Sequence, residues 1–394
     1  MNECARERLL GTYRDALLHD VVPFWMRHSL DEECGGYFTC LDRDGSVYHT
    51  DKYVWLQARQ VWTLSRLYLD VEARGGWLNA ARLGAEFLKR HAFDYEGRMH
   101  FQLARDGTPL FRPWNIFTET FGVVGFARYA QAAGDEESLD IARRTYEGVR
   151  RWAGDPRVMA SHAYPAAHNA ITHAVPMILI ATARELQAVD PDPEREGHLD
   201  QWAREILTKF VHRDIRALLE TVGQDGSRLD SPAGRVINPG HAIESAWFLL
   251  ELGRERADRG MIERATEIIL WSLDWGWDEQ HGGLLSFVDC EGKPPEQLEW
   301  DMKMWWPHTE SLYALLLAHE LTGDARFEEW HARVHEWTFR HFPDPEHGEW
   351  FGYLNRAGEP SILAKGGMWK GMFHVPRALL FCWKLLQDWG SRAR

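Results

Sequence analysis

The sequence predicts an all-α protein, an (α/α)6 barrel of about twelve helices with short β-hairpins in the long loops at one end. Three observations support this prediction. Apolar residues recur at a helical period along the whole 394-residue chain. The connections between helical segments alternate between short and long. A unit of helix, short turn, helix and long loop, about 65 residues in length, therefore recurs six times.

Each helical segment has one apolar stripe. In the first, Leu9, Leu10, Tyr13, Leu17 and Val21 fall on a single face. Such a stripe must be buried against neighbouring helices, so the segments are expected to pack together. The predicted helices lie near 5–26, 51–70, 76–91, 115–133, 136–153, 169–188, 195–220, 240–258, 260–275, 307–322, 324–341 and 374–389.

The connections place all long loops at one end of the array. Short turns near 71–75, 133–135 and 189–193, and around Gly260 and Gly323, make neighbouring helices antiparallel. Four long loops contain an alternating apolar run that ends at a glycine turn, which is typical of a β-hairpin. These predicted hairpins lie at 35–45, 99–107, 282–292 and 349–358.

The ends of the chain favour a closed ring over an open solenoid. A solenoid needs polar terminal units, whereas Phe24 and Trp25 in the first unit and Phe381 and Trp383 in the last are apolar. The chain has no linker rich in Pro, Gly or Ser. We therefore expect a single barrel domain over residues 1–394.

Composition limits the function classes. With 45% hydrophobic and 26% charged residues the composition is typical of a globular protein, and the formal charge of −14 argues against nucleic-acid binding. The chain has no apolar stretch of about 20 residues for a membrane span and no signal-like start. Its five cysteines are odd in number and lack C-x-x-C spacing, so a cytoplasmic location is expected. The 20 tryptophans suit sugar stacking or core packing equally well.

Ionisable residues collect in the first turns of the helices that follow the long loops. Because these turns open at one end of the ring, their side chains are expected to meet there, and such a cluster predicts a functional site. A single residue of this kind could equally be a helix cap. The residues concerned are Arg59, Glu119, His173, His241, Glu244, His308, Glu310 and His374.

Spacing suggests which of these residues act together. His241 and Glu244 are three residues apart on one helix face, so the carboxylate could orient the imidazole or form a structural pair. His308 and Glu310 are two apart and do not face each other. Arg59 lies in an apolar stretch and needs an acid or a ligand if it is buried.

Metal and phosphate chemistry are less favoured. The sequences His241-x-x-Glu244 and His308-x-Glu310 could ligate a metal ion, as could the loose cluster of His162, His168 and His173. No H-E-x-x-H motif or zinc-type Cys/His set occurs, so we expect no metal. The glycine-rich segment 365–371 is basic and could hold an anion, but it matches no Walker pattern.

Five segments resemble one family. Residues 53–62, 238–244, 297–300, 303–310 and 365–377 are similar to the N-acylglucosamine 2-epimerases, whose mammalian members are also called renin-binding proteins. The similarity runs from Phe24 to near Leu380. It implies an (α/α)6 barrel related to cellobiose 2-epimerases and to aldose–ketose isomerases acting on mannose or sulfoquinovose.

The resemblance implies proton transfer at C2 of an open-chain sugar through an enediolate, interconverting N-acyl-D-glucosamine and N-acyl-D-mannosamine. His241 and His374 would be the two catalytic groups, Arg59 would stabilise the enediolate, Glu244 would orient His241 and His173 would assist ring opening. No cofactor is required, although ATP modulates some members and the 365–371 loop could bind it. We expect a homodimer. Substrate contacts are expected from His173, Glu310, Lys303, Trp305, Trp306, Glu119, Asn169, Tyr53 and His308.

Several alternatives remain open. The segment 169–173 is closer to the cellobiose and isomerase branches, whereas 303–310 is closer to the N-acylglucosamine branch. An unsubstituted aldose or cellobiose 2-epimerase, or a mannose-type isomerase, is therefore the main alternative. A glycoside hydrolase would use two of Glu119, Glu244 and Glu310. A pure binding protein would have no need for the histidine pair.

Overall fold

The computed structural model describes residues 1–113, 115–159 and 169–392. Within these ranges, twelve principal helices alternate between an outer and an inner ring, and each inner helix packs against the next. The outer helices are Glu3–Asp15 with its continuation Ala16–Val21 and Val22–His28, Gly75–His91, Glu136–Ala153, Pro193–Glu205 with its continuation Ile206–Phe210, Arg259–Gly276 and Ala325–His341. The inner helices are Val54–Asp70, Phe117–Ala133, Ala174–Gln187, Pro239–Glu255, Trp305–Thr322 and His374–Arg392.

The two rings differ in their sequence patterns for a physical reason. Outer helices present one face to water, so they are amphipathic and several begin at an aspartate cap, as at Asp135 and Asp258. Inner helices are surrounded by protein. The inner helix Trp305–Thr322 is accordingly buried on nearly every side and is apolar around most of its circumference.

The ring is closed, as predicted. The Trp62 ring on the first inner helix lies 5.2 Å from that of Phe373, and the Thr63 hydroxyl donates a 2.7 Å hydrogen bond to the carbonyl oxygen of Met372. The last inner helix also packs against the first outer helix. The (α/α)6 barrel expected from the repeat is therefore confirmed.

A buried ion cluster recurs at the loop end of the barrel. In each copy an aspartate pairs with a fully buried lysine of its own unit and with an arginine from the hairpin of the next unit. The aspartate–lysine distances are 2.9, 3.1 and 2.8 Å. The third copy joins the sixth unit to the first and so holds the ring closed. The copies are Asp31 with Lys52 and Arg105, Asp278 with Lys303 and Arg356, and Asp344 with Lys365 and Arg43.

Short antiparallel strands also lie at the loop end of the barrel. The hairpins predicted at 35–45, 99–107 and 349–358 are present, each displaced towards its C-terminal side. The strands pair as Cys40–Leu41 with Val47–His49, Lys52–Tyr53 with Gln102–Leu103 and Pro109–Phe111, Lys303–Met304 with Tyr353–Leu354 and Pro360–Ile362, Val211–His212 with Ala217–Leu218, Ala170–Thr172 with Thr221–Gly223, and Val236–Ile237 with Val288–Asp289.

Three sequence predictions about elements are wrong. Residues 282–292 form no local hairpin, because Val288–Asp289 pairs with the distant strand Val236–Ile237. The helix predicted over 195–220 ends at Phe210, and the left-handed backbone of Arg216 interrupts any continuation. The helix predicted from 169 begins only at Ala174, because residues 170–172 pair as a strand.

Two short helices, Pro156–Met159 and Pro232–Arg235, complete the described elements. None of the helices in the described ranges combines the length and the apolar character needed to cross a bilayer.

Candidate active site

The loop end of the barrel opens into a cavity of about 630 Å3. Its walls are the first turns of the inner helices and the loops that precede them. Because all six inner helices begin at this end, residues far apart in sequence meet in one place. Of the residues predicted from the sequence, Arg59, His241, Glu244, Trp305, Trp306 and His374 line the cavity.

His374 is the neutral member of a histidine pair. Its Nδ1–H donates a 2.8 Å hydrogen bond to Oε1 of Glu310, and because a carboxylate can only accept, Nε2 keeps its lone pair. Burial, together with the positive charges of Arg377 and Arg59, holds the pKa of His374 well below its usual 6.5. The N-terminal end of its helix also disfavours the imidazolium. His374 is therefore neutral at neutral pH, and the free lone pair on Nε2 makes it the group of the pair that can accept a proton.

His241 has the opposite electrostatic setting. Its Nδ1 lies 3.1 Å from the carboxylate of Glu220. Burial alone would lower the pKa of His241, but the negative charges of Glu220 and Glu244 outweigh it, and the net pKa is raised above 6.5. His241 is therefore built to hold a proton and to donate it.

The two histidines flank one aromatic ring. The Trp306 ring lies 5.2 Å from that of His241 and 6.0 Å from that of His374. His241 belongs to the fourth inner helix, His374 to the sixth, and Trp306 to the fifth between them. A proton acceptor and a proton donor thus face one cavity from different walls.

Arg59 is a buried cation held by aromatic rings. Its guanidinium lies 3.8 Å from the centre of the Phe121 ring and 4.4 Å from that of Trp55. Burial, and next the charge of Arg377, lowers its pKa to about 9, which leaves it charged at neutral pH. Among the described residues no carboxylate lies within ion-pair distance of Arg59, and its Nε lacks a hydrogen-bond partner. It can therefore bind a developing negative charge.

Arg377 binds the carboxylates of Glu244 and Glu310. Its guanidinium donates to Oε1 of Glu244 at 2.5 Å and lies 2.7 Å from Oε1 of Glu310. Trp247 donates a 2.9 Å hydrogen bond to the other oxygen of Glu310. This network fixes the carboxylate that in turn orients His374.

The expected role of Glu244 is corrected by this geometry. Glu244 bonds to Arg377, and the carboxylate that orients His241 is Glu220. Sequence reasoning missed both Glu220 and Arg377. Arg377 lies three residues after His374 on one helix face, which is a usable signal. Glu220 falls at the end of the helix wrongly predicted over 195–220, so its position beside His241 gave no signal.

Two predicted contacts lie one layer behind the cavity. His173 is fully buried, with Nε2 2.7 Å from the Ser245 hydroxyl and Nδ1 3.7 Å from Glu220. Burial lowers its pKa. It therefore supports Glu220 and does not line the cavity. Glu310 acts in the same way behind His374.

Three further predicted substrate contacts are corrected by their pairing. Lys303 is fully buried and bonds to Asp278. Glu119 is fully buried and pairs with Arg98 at 2.5 Å. His308 donates from Nδ1 to the carbonyl of Met304 and accepts at Nε2 from a backbone N–H, and burial lowers its pKa to about 3. None of the three lines the cavity.

Two more predicted contacts also lie outside the cavity lining. Tyr53 is buried with its ring 5.8 Å from that of Phe101. Asn169 is exposed, and its carbonyl accepts a hydrogen bond from Gln224. His162 and His168 of the suggested histidine cluster lie outside the described residues.

The basic glycine-rich loop offers no free ammonium group. Lys365 and Lys370 are both buried, and they pair with Asp344 at 2.8 Å and with Glu349 at 2.5 Å. The loop therefore closes the barrel and does not present these two charges to an anion.

Among the residues that the structure describes, two groups of side chains have the geometry to hold a metal ion, with ligand atoms within 4.8 Å of one another. Both are parts of the networks just described. In the second group Arg377 already pairs with both carboxylates. The groups are His173, Glu220 and His241, and Glu244, Glu310 and His374.

Comparison with known proteins agrees with this architecture. The family described as N-acylglucosamine 2-epimerase matches residues 36–378. The N-acylglucosamine 2-epimerase of Bos taurus is 41% identical over 98% of this chain and 94% of its own length. The cellobiose 2-epimerase of Bacteroides fragilis is 25% identical over 93% of this chain and 96% of its own length.

A solved structure shares the fold. That of cellobiose 2-epimerase from Bacillus thermoamylovorans superposes with a TM-score of 0.84 at 20% identity, covering 97% of this chain and 100% of that one.

Proposed function

This chain belongs to the N-acylglucosamine 2-epimerase family, and we propose on that premise that it interconverts N-acyl-D-glucosamine and N-acyl-D-mannosamine. The reaction is a carbohydrate 2-epimerisation by two-base proton transfer. The bovine relative supports the N-acyl substrate, because it is 41% identical whereas the cellobiose 2-epimerase of Bacteroides fragilis is 25% identical.

The chemistry requires an open-chain sugar. The hydrogen on C2 becomes acidic only when C1 is an aldehyde, and its removal gives a planar enediolate. Neutral His374 takes the proton at Nε2 from one face. Protonated His241 delivers a proton to C2 from the other face, and the configuration at C2 inverts. In the reverse reaction the two histidines exchange roles.

Arg59 stabilises the intermediate. As C2 loses its proton, negative charge builds on the C1 oxygen. A buried guanidinium without a competing carboxylate is the group best suited to meet that charge. Glu220 stabilises the positive charge on His241, and Glu310 and Arg377 hold His374 in one orientation.

One observation carries the proposal: two imidazoles with oppositely shifted pKa values flank Trp306 in a single cavity. A glycoside hydrolase would instead need two carboxylates flanking the scissile bond. Here Glu244 and Glu299 line the cavity, but Glu244 is paired with Arg377, and Glu310 is absent from the lining. An aldose–ketose isomerase would return the proton to C1 from the same enediolate, so product analysis distinguishes it.

We further propose that the reaction needs no cofactor or metal ion and that the protein acts as a cytoplasmic homodimer. A sugar is its expected ligand, with no nucleic-acid or membrane partner.

Product analysis in deuterated water tests the proposal. The protein is incubated separately with N-acetylmannosamine, N-acetylglucosamine, mannose, glucose and cellobiose, and products are followed by NMR. We expect interconversion of the two N-acetyl sugars with deuterium at C2. Turnover of mannose or cellobiose alone, or a ketose product, would overturn the assignment.

A further inference from the structure

Asn238 is a buried residue whose side-chain amine has no partner. It precedes the fourth inner helix and is 3% exposed. Its Oδ1 accepts a 3.1 Å hydrogen bond from the backbone N–H of His241 and so caps the helix. Its Nδ2 has no hydrogen-bond partner among the described residues, and it is not one of the wholly enclosed polar atoms that lack a partner. Because Asn238 lines the active-site cavity, this amine is directed into the cavity.

The helix cap fixes which end of the amide faces the cavity. A backbone N–H can only donate, so the group next to the N–H of His241 must be the side-chain oxygen of Asn238. A rotated amide would place its NH2 group against that N–H and leave the N–H without an acceptor. The cavity therefore contains a hydrogen-bond donor whose direction is fixed before any ligand arrives.

Asn238 lies on the wall opposite Arg59. Arg59 belongs to the first inner helix and Asn238 caps the fourth, and in a ring of six helices these two are opposite each other. Asn238 stands three residues before His241, about one helical turn nearer to the loop end. If the C1 oxygen binds Arg59 and C2 lies between the two histidines, the carbon chain from C3 onward runs away from Arg59 along this wall. The first oxygen on that path is the one on C3.

We propose that Nδ2 of Asn238 donates a hydrogen bond to the oxygen on C3 of the open-chain sugar, and that the protein therefore selects substrates with a hydroxyl group at C3. This inference rests on the proposed function. The bond holds C3 in place while C2 changes from tetrahedral to planar, so that C2 stays between His241 and His374. A sugar without this oxygen is rejected because the buried donor is then left unpaired.

Asn238→Ser separates the donor from the cap, because serine is also a good N-cap but is shorter and has no amine. The quantity measured is kcat/KM, by NMR, for N-acetylmannosamine and for its 3-deoxy and 4-deoxy analogues. In the wild type the 3-deoxy sugar should be about tenfold poorer than N-acetylmannosamine. Asn238→Ser should lower the value for N-acetylmannosamine by about tenfold, and the further loss on the 3-deoxy sugar should be less than about twofold. Differences in ring opening between the sugars cancel, because both proteins receive the same set.

Two controls isolate the bond to the C3 oxygen. The loss caused by removing the C4 hydroxyl should be the same in the wild type and in Asn238→Ser. Asn2→Ser makes the same substitution at the N-cap of the first outer helix, where Oδ1 of Asn2 accepts a 2.9 Å hydrogen bond from Ala5, and its kinetics should match the wild type. Asn238→Thr, which also introduces a capping residue, repeats the test if Asn238→Ser does not fold.

The outcomes are distinct. The assignment would be overturned if the wild type and Asn238→Ser lost the same factor on the 3-deoxy sugar, if the wild type turned over that sugar as well as N-acetylmannosamine, or if the substitution removed the loss on the 4-deoxy sugar instead. Each of these results leaves 2-epimerisation intact. No turnover of N-acetylmannosamine by the wild type would overturn the proposed function and this inference with it.

Discussion

The Glu220→Gln substitution tests whether the negative charge of Glu220 keeps His241 protonated, as its role as proton donor requires. Glu220 lies 3.1 Å from Nδ1 of His241, and the two side chains are 18% and 27% exposed. The Glu220→Gln substitution keeps the shape and a hydrogen-bonding group but removes the charge. The pKa of His241 should therefore fall, because burial, which lowers it, would no longer be outweighed.

The magnitude follows from the type of hydrogen bond. A hydrogen bond to a charged group contributes about 1.5–3 kcal/mol. If the bond between Glu220 and His241 stabilises the imidazolium throughout the reaction, its loss should lower the rate by about 10- to 160-fold. Partial exposure of both side chains favours the lower part of this range.

The assay is kcat and kcat/KM for N-acetylmannosamine across pH 5–9. The wild type should give a bell-shaped profile. Activity should be lost on the acid side as His374 gains a proton, and this occurs below pH 6.5 because the pKa of His374 is lowered. Activity should be lost on the alkaline side as His241 loses its proton, and this occurs above pH 6.5 because the pKa of His241 is raised. Glu220→Gln should move only the alkaline limb, towards lower pH.

Glu267→Gln is the control, because Glu267 pairs with Arg213 on the outer surface. Its profile should match the wild type. An unchanged rate and alkaline limb in Glu220→Gln would refute the reasoning.

Three further predictions concern stability and metal dependence. Arg43→Gln removes two hydrogen bonds to buried Asp344, at 2.8 and 3.0 Å. The free energy of unfolding in urea should therefore fall by more than in the exposed control Arg340→Gln, and an equal fall in the two variants would contradict this prediction. Burial lowers the pKa of His331 to about 3 and that of His335 to about 4, so below pH 6.5 the unfolded chain binds more protons than the folded protein. Each histidine should therefore reduce the free energy of unfolding by about 2 kcal/mol when the pH falls from neutral to 5. His335→Gln should lessen this reduction, and an equal reduction in the variant would contradict the prediction. Activity should survive EDTA, whereas a complete loss restored by zinc or manganese would point to metal catalysis.

The fold could be predicted because its information is local and repeated. Apolar periodicity identified the inner and outer helices, and the short turns put Arg59, His241 and His374 at one end. Each of these side chains lies in or next to the first turn of an inner helix, so the topology alone brings them together.

The parts that could not be predicted depend on pairings between distant segments. Glu220 reaches His241 because it lies between the short strands Ala217–Leu218 and Thr221–Gly223, each of which pairs with a different partner strand. These pairings leave little trace in the sequence. Glu244 has the spacing to orient His241, but it bonds instead to Arg377 of the sixth inner helix. His308 shows the same first-turn signal as His241, yet its ring turns outward and stacks 4.8 Å from that of Trp337.

Single-histidine variants test the central claim most directly, with deuterium exchange at C2 measured separately for each epimer. If the two imidazoles face opposite sides of one carbon, His241→Asn and His374→Asn should each stop epimerisation but still exchange the C2 hydrogen of one epimer, and the two variants should exchange opposite epimers. His374→Asn should need higher pH for this exchange, because the remaining His241 must first lose its proton. Exchange of the same epimer by both variants, or epimerisation that survives in either, would contradict the account.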